Sequence, residues 1–498
     1  MNLQAVLVAT PFILFIVLLF WGKLKLVWIS LISLIFTAAA AAFYWKMNPD
    51  FLLGSLEKGF FVALDIFFII FGAIFFLEIL KKARVIENIG YYLESISGDL
   101  RVQVILLAWF FENFLEGTAG FGTPATVVAP LLVGLGVTPL NAVIISLLGN
   151  SSAGVFGAAG TPIKIGFGDL AGAGLPFKAS VINLVGILIP VFILLFLNKS
   201  KGGGKKGFFG ALPFAIWSGI AFLVPSILLV PLGQEFPSIL GSVAGIILVL
   251  LSIKIGLFAP KANPVFVSKS DHSANLPLKK VVFPYVFLII LLLAGKFALG
   301  QNGFPIPIVI KHTFTFFNPG FAFILAGIAA AIVFKIPFKN MFKSSGMALS
   351  KSVNPFLVIA FMSSMAQIMV YSGQNSTGAA SMINILASSV KNAFLPLWAP
   401  FVGALGSFLT GSITVSNLMF GNFLATAAKD LSFDVDSILA LALVGAAIGN
   451  MIALADILVA ETVVGLKNRE RDVVKVVIWP CLILVALIGL MGMLFFNI

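Results

Sequence analysis

Apolar runs recur along the whole of this chain, at about 3–21, 26–45, 60–80, 102–115, 141–153, 176–197, 211–230, 239–257, 281–299, 320–334, 353–371, 395–410, 437–450 and 475–496. A helix needs about 20 apolar residues to cross the hydrocarbon core of a bilayer. Most of these runs are that long or nearly so. Several are shorter and rich in glycine, which marks them as broken helices or hairpin arms. Only 10% of the 498 residues are charged, against about 25% in soluble domains. So little charge cannot clothe the roughly three soluble domains that the length otherwise suggests. A soluble enzyme, a nucleic-acid binder and a disordered protein are therefore excluded. The expected fold is an all-α polytopic membrane protein of about 12–14 membrane segments, counting broken helices and re-entrant hairpins.

The net charge of +12 reads as topology, because Lys and Arg concentrate in cytoplasmic loops. Basic groups follow the first run (Lys23, Lys25) and the third (Lys81, Lys82, Arg84, Arg101). Others lie at Lys199–Lys206, Lys261–Lys280, Lys335–Lys351 and Lys467–Lys475. Placing these in the cytoplasm puts both termini outside. No cleavable signal is evident, so the first run is expected to stay as a span in a multi-pass plasma-membrane protein. Cys481 is the only cysteine, so no intrachain disulfide forms, and it reads as a small packing residue.

The two halves resemble each other. Phe114-Leu115-Glu116-Gly117 and Phe408-Leu409-Thr410-Gly411 each end an apolar run and lead into small residues. Gly149-Asn150-Ser151-Ser152 and Gly449-Asn450-Met451 follow further on. The charge map runs the two units in opposite senses, which predicts two inverted-topology repeats. Residues 1–200 form the first half, with a hairpin motif at 116–165. Residues 201–280 hold central spans and cytoplasmic loops. Residues 281–498 form the second half, with a hairpin motif at 403–465.

Four breaks interrupt helices at membrane depth: 116–124, 151–162, 411–417 and 445–450. Breaks survive in a bilayer only where protein or a water-filled cavity covers the freed backbone groups. Half-helices starting there aim their N–H groups at a common point, which suits a small anion. The alternative is small residues serving close helix packing.

Acidic residues at depth are rarely idle, since a charge at the bilayer centre costs about 2.5–3.5 kcal/mol on insertion scales. The candidates are Asp65, Glu78, Glu112, Glu116, Asp169, Asp456 and Glu461. Glu78 is expected to pair with Lys81 or Lys82, and Asp65 to lie near the outer interface. Glu112 and Glu116 share a helix face at i and i+4. They repel, so at least one is expected to be protonated near neutral pH, as a proton-coupled carrier requires. Glu116 lies at a break and is the preferred coupling group, with Asp456 second. Lys164 either offsets an anion's charge or snorkels to the interface. His272 is expected in a solvated loop and His312 at an outer surface. Two lone histidines make no metal site, and no cofactor is expected. The sequence has no His-Glu-x-x-His, no Gly-x-Ser-x-Gly and no P-loop. Segments 84–97 and 337–350 read as amphipathic membrane-surface helices.

The run Glu116-Gly117-Thr118-Ala119-Gly120-Phe121-Gly122-Thr123-Pro124 resembles the signature of the L-lactate permease family. So do Phe156-Gly157-Ala158-Ala159-Gly160-Thr161-Pro162-Ile163 and Phe408-Leu409-Thr410-Gly411-Ser412. The resemblance implies a secondary transporter, not an enzyme, for lactate and related 2-hydroxy monocarboxylates such as glycolate, with protons. Where the family carries Gly-Ser-Asp-Thr-Ser-Ser-Asn, this chain has Gly411-Ser412-Ile413-Thr414-Val415-Ser416-Asn417, so an acid is replaced by Ile413. Its Asn-Thr-Ala-Pro stands here as Asn150-Ser151-Ser152-Ala153. Met451-Ile452-Ala453-Leu454-Ala455 replaces Met-Ile-Ser-Pro-Gln, with Asp456 next.

The expected substrate site is Gly120, Thr123, Asn150, Ser151, Ser152, Ser412, Thr414, Ser416, Asn417 and Asn450, with Glu116 and Asp456 coupling protons. The expected partners are a small carboxylate, protons and the lipid bilayer, with no nucleic acid and a homodimer as the candidate assembly. A channel, a membrane-embedded hydrolase, and a carrier of another short-chain acid or dicarboxylate, sodium-coupled or not, are the rival readings.

Overall fold

The computed structural model describes residues 3–21, 24–120, 123–261, 263–267, 275–299, 302–388, 394–467 and 469–495. The chain opens with the packed pair α1 (Leu3–Trp21) and α2 (Leu26–Ala39), followed by the long α3 (Pro49–Lys82). The Asn48 side chain caps α3 by accepting the Asp50 N–H, and Pro49 sits where a missing N–H does no harm. After the short α4 (Val85–Glu94), α5 (Leu100–Ile105) passes through a π-helical turn at Leu106–Phe111 into α6 (Glu112–Thr118). α7 (Thr123–Gly134) returns beside it. α8 (Pro139–Asn150) and α9 (Gly157–Lys164) are pieces of one apolar stretch bent by 50°. The following helices are α10 (Leu175–Ile182), α11 (Ile189–Lys201), α12 (Gly204–Phe209), α13 (Leu212–Leu229), α14 (Pro237–Lys254) and α15 (Leu278–Leu299). An antiparallel hairpin, β1 (Gly303–Ile306) with β2 (His312–Thr315), leads to α16 (Pro319–Val333), α17 (Phe338–Tyr371) and α18 (Met382–Ser388). α19 (Leu395–Thr410), α20 (Ile413–Asp430), α21 (Val435–Gly449), α22 (Leu454–Val463) and α23 (Glu470–Phe495) complete the chain. Among the described residues, nine helices are long and apolar enough to cross a bilayer, and the bent pair makes ten.

Two helical hairpins enter the bundle from opposite ends. Arg101, at the start of the first, donates to the Gly207 carbonyl at 2.8 Å. Gly136, just past its end, accepts from Lys201 at 2.7 Å. Both feet of α5–α7 therefore stand at the Lys201 end of α11. The second hairpin, α19–α20, runs into Asp434, which pairs with Lys178 on α10. Asp436 accepts the Gly172 and Gly174 N–H groups ahead of α10. Because α10 and α11 run from that end to Lys201, the feet of the two hairpins lie apart. Each hairpin is followed by a broken helix, α8/α9 after the first and α21/α22 after the second. Beside them stand α3 and α17, of 34 residues each. At about 1.5 Å per residue each is about 50 Å long, well beyond the roughly 30 Å hydrocarbon core. Gly59 lets their backbones meet, since a Cβ there would lie 2.4 Å from the Ser364 nitrogen.

Several sequence expectations are corrected. The amphipathic segment 337–350 is no separate surface helix. It is the first third of α17, and its Ser344 and Ala348 are buried. Glu78 does form an ion pair, but with Lys351 of α17 at 2.7 Å instead of its own helix's lysines. His312 is only 10% exposed. Its ring stacks on Phe61, and its Nε2 lies 3.1 Å from Asp65. The segment between α15 and α16 that carries His312 contains the β-hairpin. His272 lies outside the described residues.

Asp434 shows how the second broken helix is held. Its carboxylate caps α21 by accepting the Ser437 N–H and hydroxyl, and it pairs with Lys178. Partial burial pushes this carboxyl up, but Lys178 and Ser437 more than offset that and hold it below its ordinary 3.8. A folded-state value below the unfolded one contributes stability above pH 3.8 that is lost as pH falls through the lowered value. Asp434→Ala is expected to lose about 1 kcal/mol, the usual worth of such a cap. Its deficit in melting temperature relative to the native chain should be steady from neutral pH down to about 4 and shrink below that.

Candidate functional site

The tips of both hairpins and the breaks of both broken helices meet. At the first tip, α6 ends with the Thr118 hydroxyl donating to the Leu115 carbonyl at 3.0 Å. Gly120 then takes φ 58°, in the left-handed region. Glu116 sits in this last turn, 4% exposed. One turn earlier, fully buried Glu112 accepts the Ser146 hydroxyl from α8. Neither Glu112 Oε2 nor Glu116 Oε2 has a hydrogen-bond partner among the described residues.

The first break follows Asn150. A 3-10 turn, Ala153–Phe156, leads to three successive left-handed residues, Ala158, Ala159 and Gly160, at φ 43°, 54° and 78°. For the two alanines this conformation costs about 1–2 kcal/mol each, so the surroundings hold it in place. Gly157 ahead of them lies against the Glu116 side chain. A Cβ there would lie 2.6 Å from Glu116 Oε1, so the carboxylate rests directly on this backbone. Asn113 Oδ1, on α6, accepts the Ala153 N–H at 3.3 Å and ties the hairpin to the break.

At the second tip, Gly411 is again left-handed (φ 67°) and ends α19. Ser412 caps α20, its side chain accepting the Val415 N–H at 3.3 Å. The second break passes through Asn450–Ile452 to an extended Ala453 before α22 begins. Asn450 accepts the Ser407 hydroxyl at 3.1 Å and donates to Asp456 at 2.7 Å. It thus joins hairpin, break and α22.

A cavity of about 20 Å³ lies where these pieces meet, room for about one water molecule. Glu116 and Gly120 line it from the first tip, and Gly157, Ala158 and Pro162 from the first break. Gly411, Ser412, Ile413 and Thr414 line it from the second tip, and Asn450 from the second break. The start of α20 thus faces the Glu116 carboxyl across this space, and no basic residue is among these lining residues. A helix N-terminus offers N–H groups and positive potential to an anion. The carboxyl offers a place for a proton.

The expected coupling residue Glu116 and, of the expected substrate residues, Gly120, Ser412, Thr414 and Asn450 line this cavity together. Asn150 is buried and does not line the cavity, but its side chain hydrogen-bonds Glu116 while its Oδ1 has no partner among the described residues, and Asp456 is reached through Asn450. Ser151 donates to the Leu148 carbonyl, Ser152 to Asn183 and Ser416 to the Gly403 carbonyl. These three hydroxyls are engaged in packing, and none of the three residues lines the cavity. Asn417 donates to the Pro162 carbonyl at 2.9 Å, locking the second hairpin to the first break. Thr123 opens α7, but its side chain lies outside the described residues. Ile413 fills the place of the family's acid, and its Cδ1 would lie 2.4 Å from a Cβ on Gly154. Gly157, Ala158 and Pro162 were not singled out as site residues, although the Gly-Ala-Ala-Gly-Thr-Pro run signalled the break they form.

Lys164 leaves the same break in the other direction. It lines a second, much larger cavity of about 1360 Å³, which opens at the end of the bundle where Asp169 and Lys311 are exposed. Lys58, Asp65, Lys296, His312 and Gln367 stand in its walls, and Phe167 and Leu418 in its wall nearest the small cavity.

The chain matches the family model described as L-lactate permease over residues 4–301 and 264–498, nearly its whole length. It is 29% identical over 446 residues to an L-lactate permease of Streptococcus iniae, covering 86% of this chain and 92% of that protein. It is 27% identical over 556 residues to a glycolate permease of Escherichia coli, covering 99% of this chain and 96% of that protein. Among solved structures it is similar to the YdaH transporter of Alcanivorax borkumensis, with a TM-score of 0.45 and 13% identity, covering 86% of this chain and 85% of that one.

Proposed function

We propose, since this chain belongs to the L-lactate permease family, that it is a secondary carrier moving L-lactate, glycolate or a related 2-hydroxy monocarboxylate across the plasma membrane together with a proton. The observation that carries this reading is the small cavity, where the Glu116 carboxyl and the N-terminus of α20 face one common space. A substrate carboxylate accepted at Ser412 and Thr414 would widen this one-water space and lie beside Glu116. Two like charges about 4 Å apart repel by about 4 kcal/mol at an effective dielectric of 20. With no cation in the lining, the anion enters when Glu116 carries a proton. Substrate and proton then move as a neutral pair, which is the coupling that symport requires. Asn150 and Asn450 stand within reach of the hydroxyl side of such a substrate or fix the two breaks. Asp456 is the second group that can exchange the proton.

The two hairpin-and-broken-helix units, about 100–164 and 395–463, act as an inverted repeat. With the basic loops in the cytoplasm, the large cavity faces outward. Pro162 to Phe167, held by Asn417 and Leu418, forms the outer closure over the site. Alternating access moves these units against the frame of α3 and α17. Purified protein in liposomes should take up labelled L-lactate saturably, show counterflow against internal lactate, and be inhibited by glycolate. Uptake that stays linear in lactate concentration and shows no counterflow would instead mark a channel. Uptake that needs sodium and ignores pH would reject the coupling ion.

A further inference from the structure

We propose that the large outward cavity is a second carboxylate-binding site, in which the Lys164 ammonium holds an incoming small monocarboxylate before it enters the cavity beneath. The inference rests on the carrier reading given above. Among the described residues, two of the four lysines in these walls already have carboxylate partners, and a third, Lys311, stands exposed at the rim. Lys58 lies 3.5 Å from Asp169, Lys296 is 3.0 Å from the fully buried Glu235, and His312 is 3.1 Å from Asp65. Lys164 makes no ion pair among the described residues. Its Nζ lies 3.5 Å from the Phe317 carbonyl, at the limit of hydrogen bonding, and 5.5 Å from the centre of the Phe317 ring. A snorkelling lysine would carry its ammonium out to bulk water. This one instead turns onto a buried ring that Lys296 also approaches, at 5.9 Å. Glu235 and Asp65 act on this half-buried ammonium through their charge without forming an ion pair with it, so it keeps donors to spare, and charge-assisted bonds to a carboxylate are the strongest use for them.

The position fits a relay. Pro162 lines the small cavity and Lys164, two residues on, lines the large one. Along α20, Thr414 faces the first and Leu418 the second, about 6 Å apart at 1.5 Å per residue. Ile69 and Ile163 offer apolar wall for a short alkyl group, and Gln367 offers an amide for a hydroxyl. The α20 residues that line the two cavities are therefore one helix turn apart, with Leu418 on the Lys164 side and Thr414 near the helix N-terminus.

The test uses the full chain in lipid nanodiscs, titrated calorimetrically with L-lactate, alongside uptake in liposomes. The variants are Lys164→Gln, Lys164→Arg and Glu116→Gln. Glu116→Gln should keep a lactate-binding event that Lys164→Gln loses and Lys164→Arg retains. Lys164→Gln should raise the KM for uptake from the outer face by about tenfold, as expected for a lost charge-assisted bond, while the maximal rate falls far less. The Lys164→Arg result separates loss of charge from misfolding. Binding and KM unchanged in Lys164→Gln would overturn the second site while leaving the carrier reading intact. Absence of any lactate uptake by the native chain would overturn the carrier reading; a Lys164-dependent binding event would then still uphold the site, and no lactate binding at all would overturn both.

Discussion

Glu116→Gln is expected to abolish accumulation of L-lactate against its gradient while leaving lactate-for-lactate exchange measurable. The amide matches the carboxyl in size and keeps its place over Gly157, where there is no Cβ to displace it. It also mimics the protonated acid permanently, so a carboxylate can still enter beside it. What it cannot do is release a proton on the far side. One proton per substrate across a difference of one pH unit is worth about 1.4 kcal/mol, which sustains about tenfold accumulation. The native chain should approach that ratio and the variant should stay near unity. Asp456→Asn is the natural comparison, because Asp456 accepts from Asn450 without lining the cavity, and an amide oxygen can still accept there. Its effect should be smaller. Tenfold accumulation by Glu116→Gln would move the coupling group elsewhere, with Asp456 the next in line.

The second large effect is structural. Gly149→Val should cost about 3 kcal/mol or more, at or beyond the upper end of ordinary overpacking. A Cβ at Gly149 would lie 1.6 Å from the Ala108 carbonyl oxygen and 2.9 Å from Glu112 Oε2. No rotamer of a valine relieves a clash with backbone, so the first hairpin would have to leave α8. The second half uses the same device. A Cβ at Gly449 would meet the Ala404 backbone at 2.5 Å, and one at Gly445 the Pro400 carbonyl at 2.1 Å. Small residues let helices approach closely where lipid offers no hydrophobic drive to associate. Gly346→Ala on α17 is the control, since nothing lies within 4 Å of that position. It should be neutral or stabilising by up to about 1 kcal/mol, the helix propensity gained. Thermal unfolding in detergent reads both variants, and a native-like melting temperature for Gly149→Val would contradict the packing described.

Much of the site was legible in the sequence because its chemistry is local. Glycine, Thr-Pro and Asn clusters inside apolar runs mark helix breaks, and Glu116, Ser412, Thr414 and Asn450 stand beside them in the chain. The spans were legible for a similar reason, since hydropathy reports transfer into lipid. The same measure misled at 337–350, where the serines and lysines read as a surface helix. There α17 buries Ser344 and Ala348 and reaches its Lys351 across to Glu78, contacts no single-helix pattern carries. The hydroxyls of Ser151, Ser152 and Ser416 had the right type and spacing, but backbone carbonyls and Asn183 take them up. The large cavity was hidden altogether. It depends on pairings such as Lys296 with Glu235 and His312 with Asp65, which join residues far apart in the chain.

The most direct test of the account is proton movement driven by lactate alone. Liposomes holding the native chain and a trapped pH indicator, with equal pH on both sides and the membrane potential clamped at zero, receive an inward gradient of L-lactate. The account predicts that the lumen acidifies as lactate enters, with the two fluxes in fixed ratio, and that Glu116→Gln liposomes stay at constant pH. Lactate entry by the native chain with no change in internal pH would contradict it.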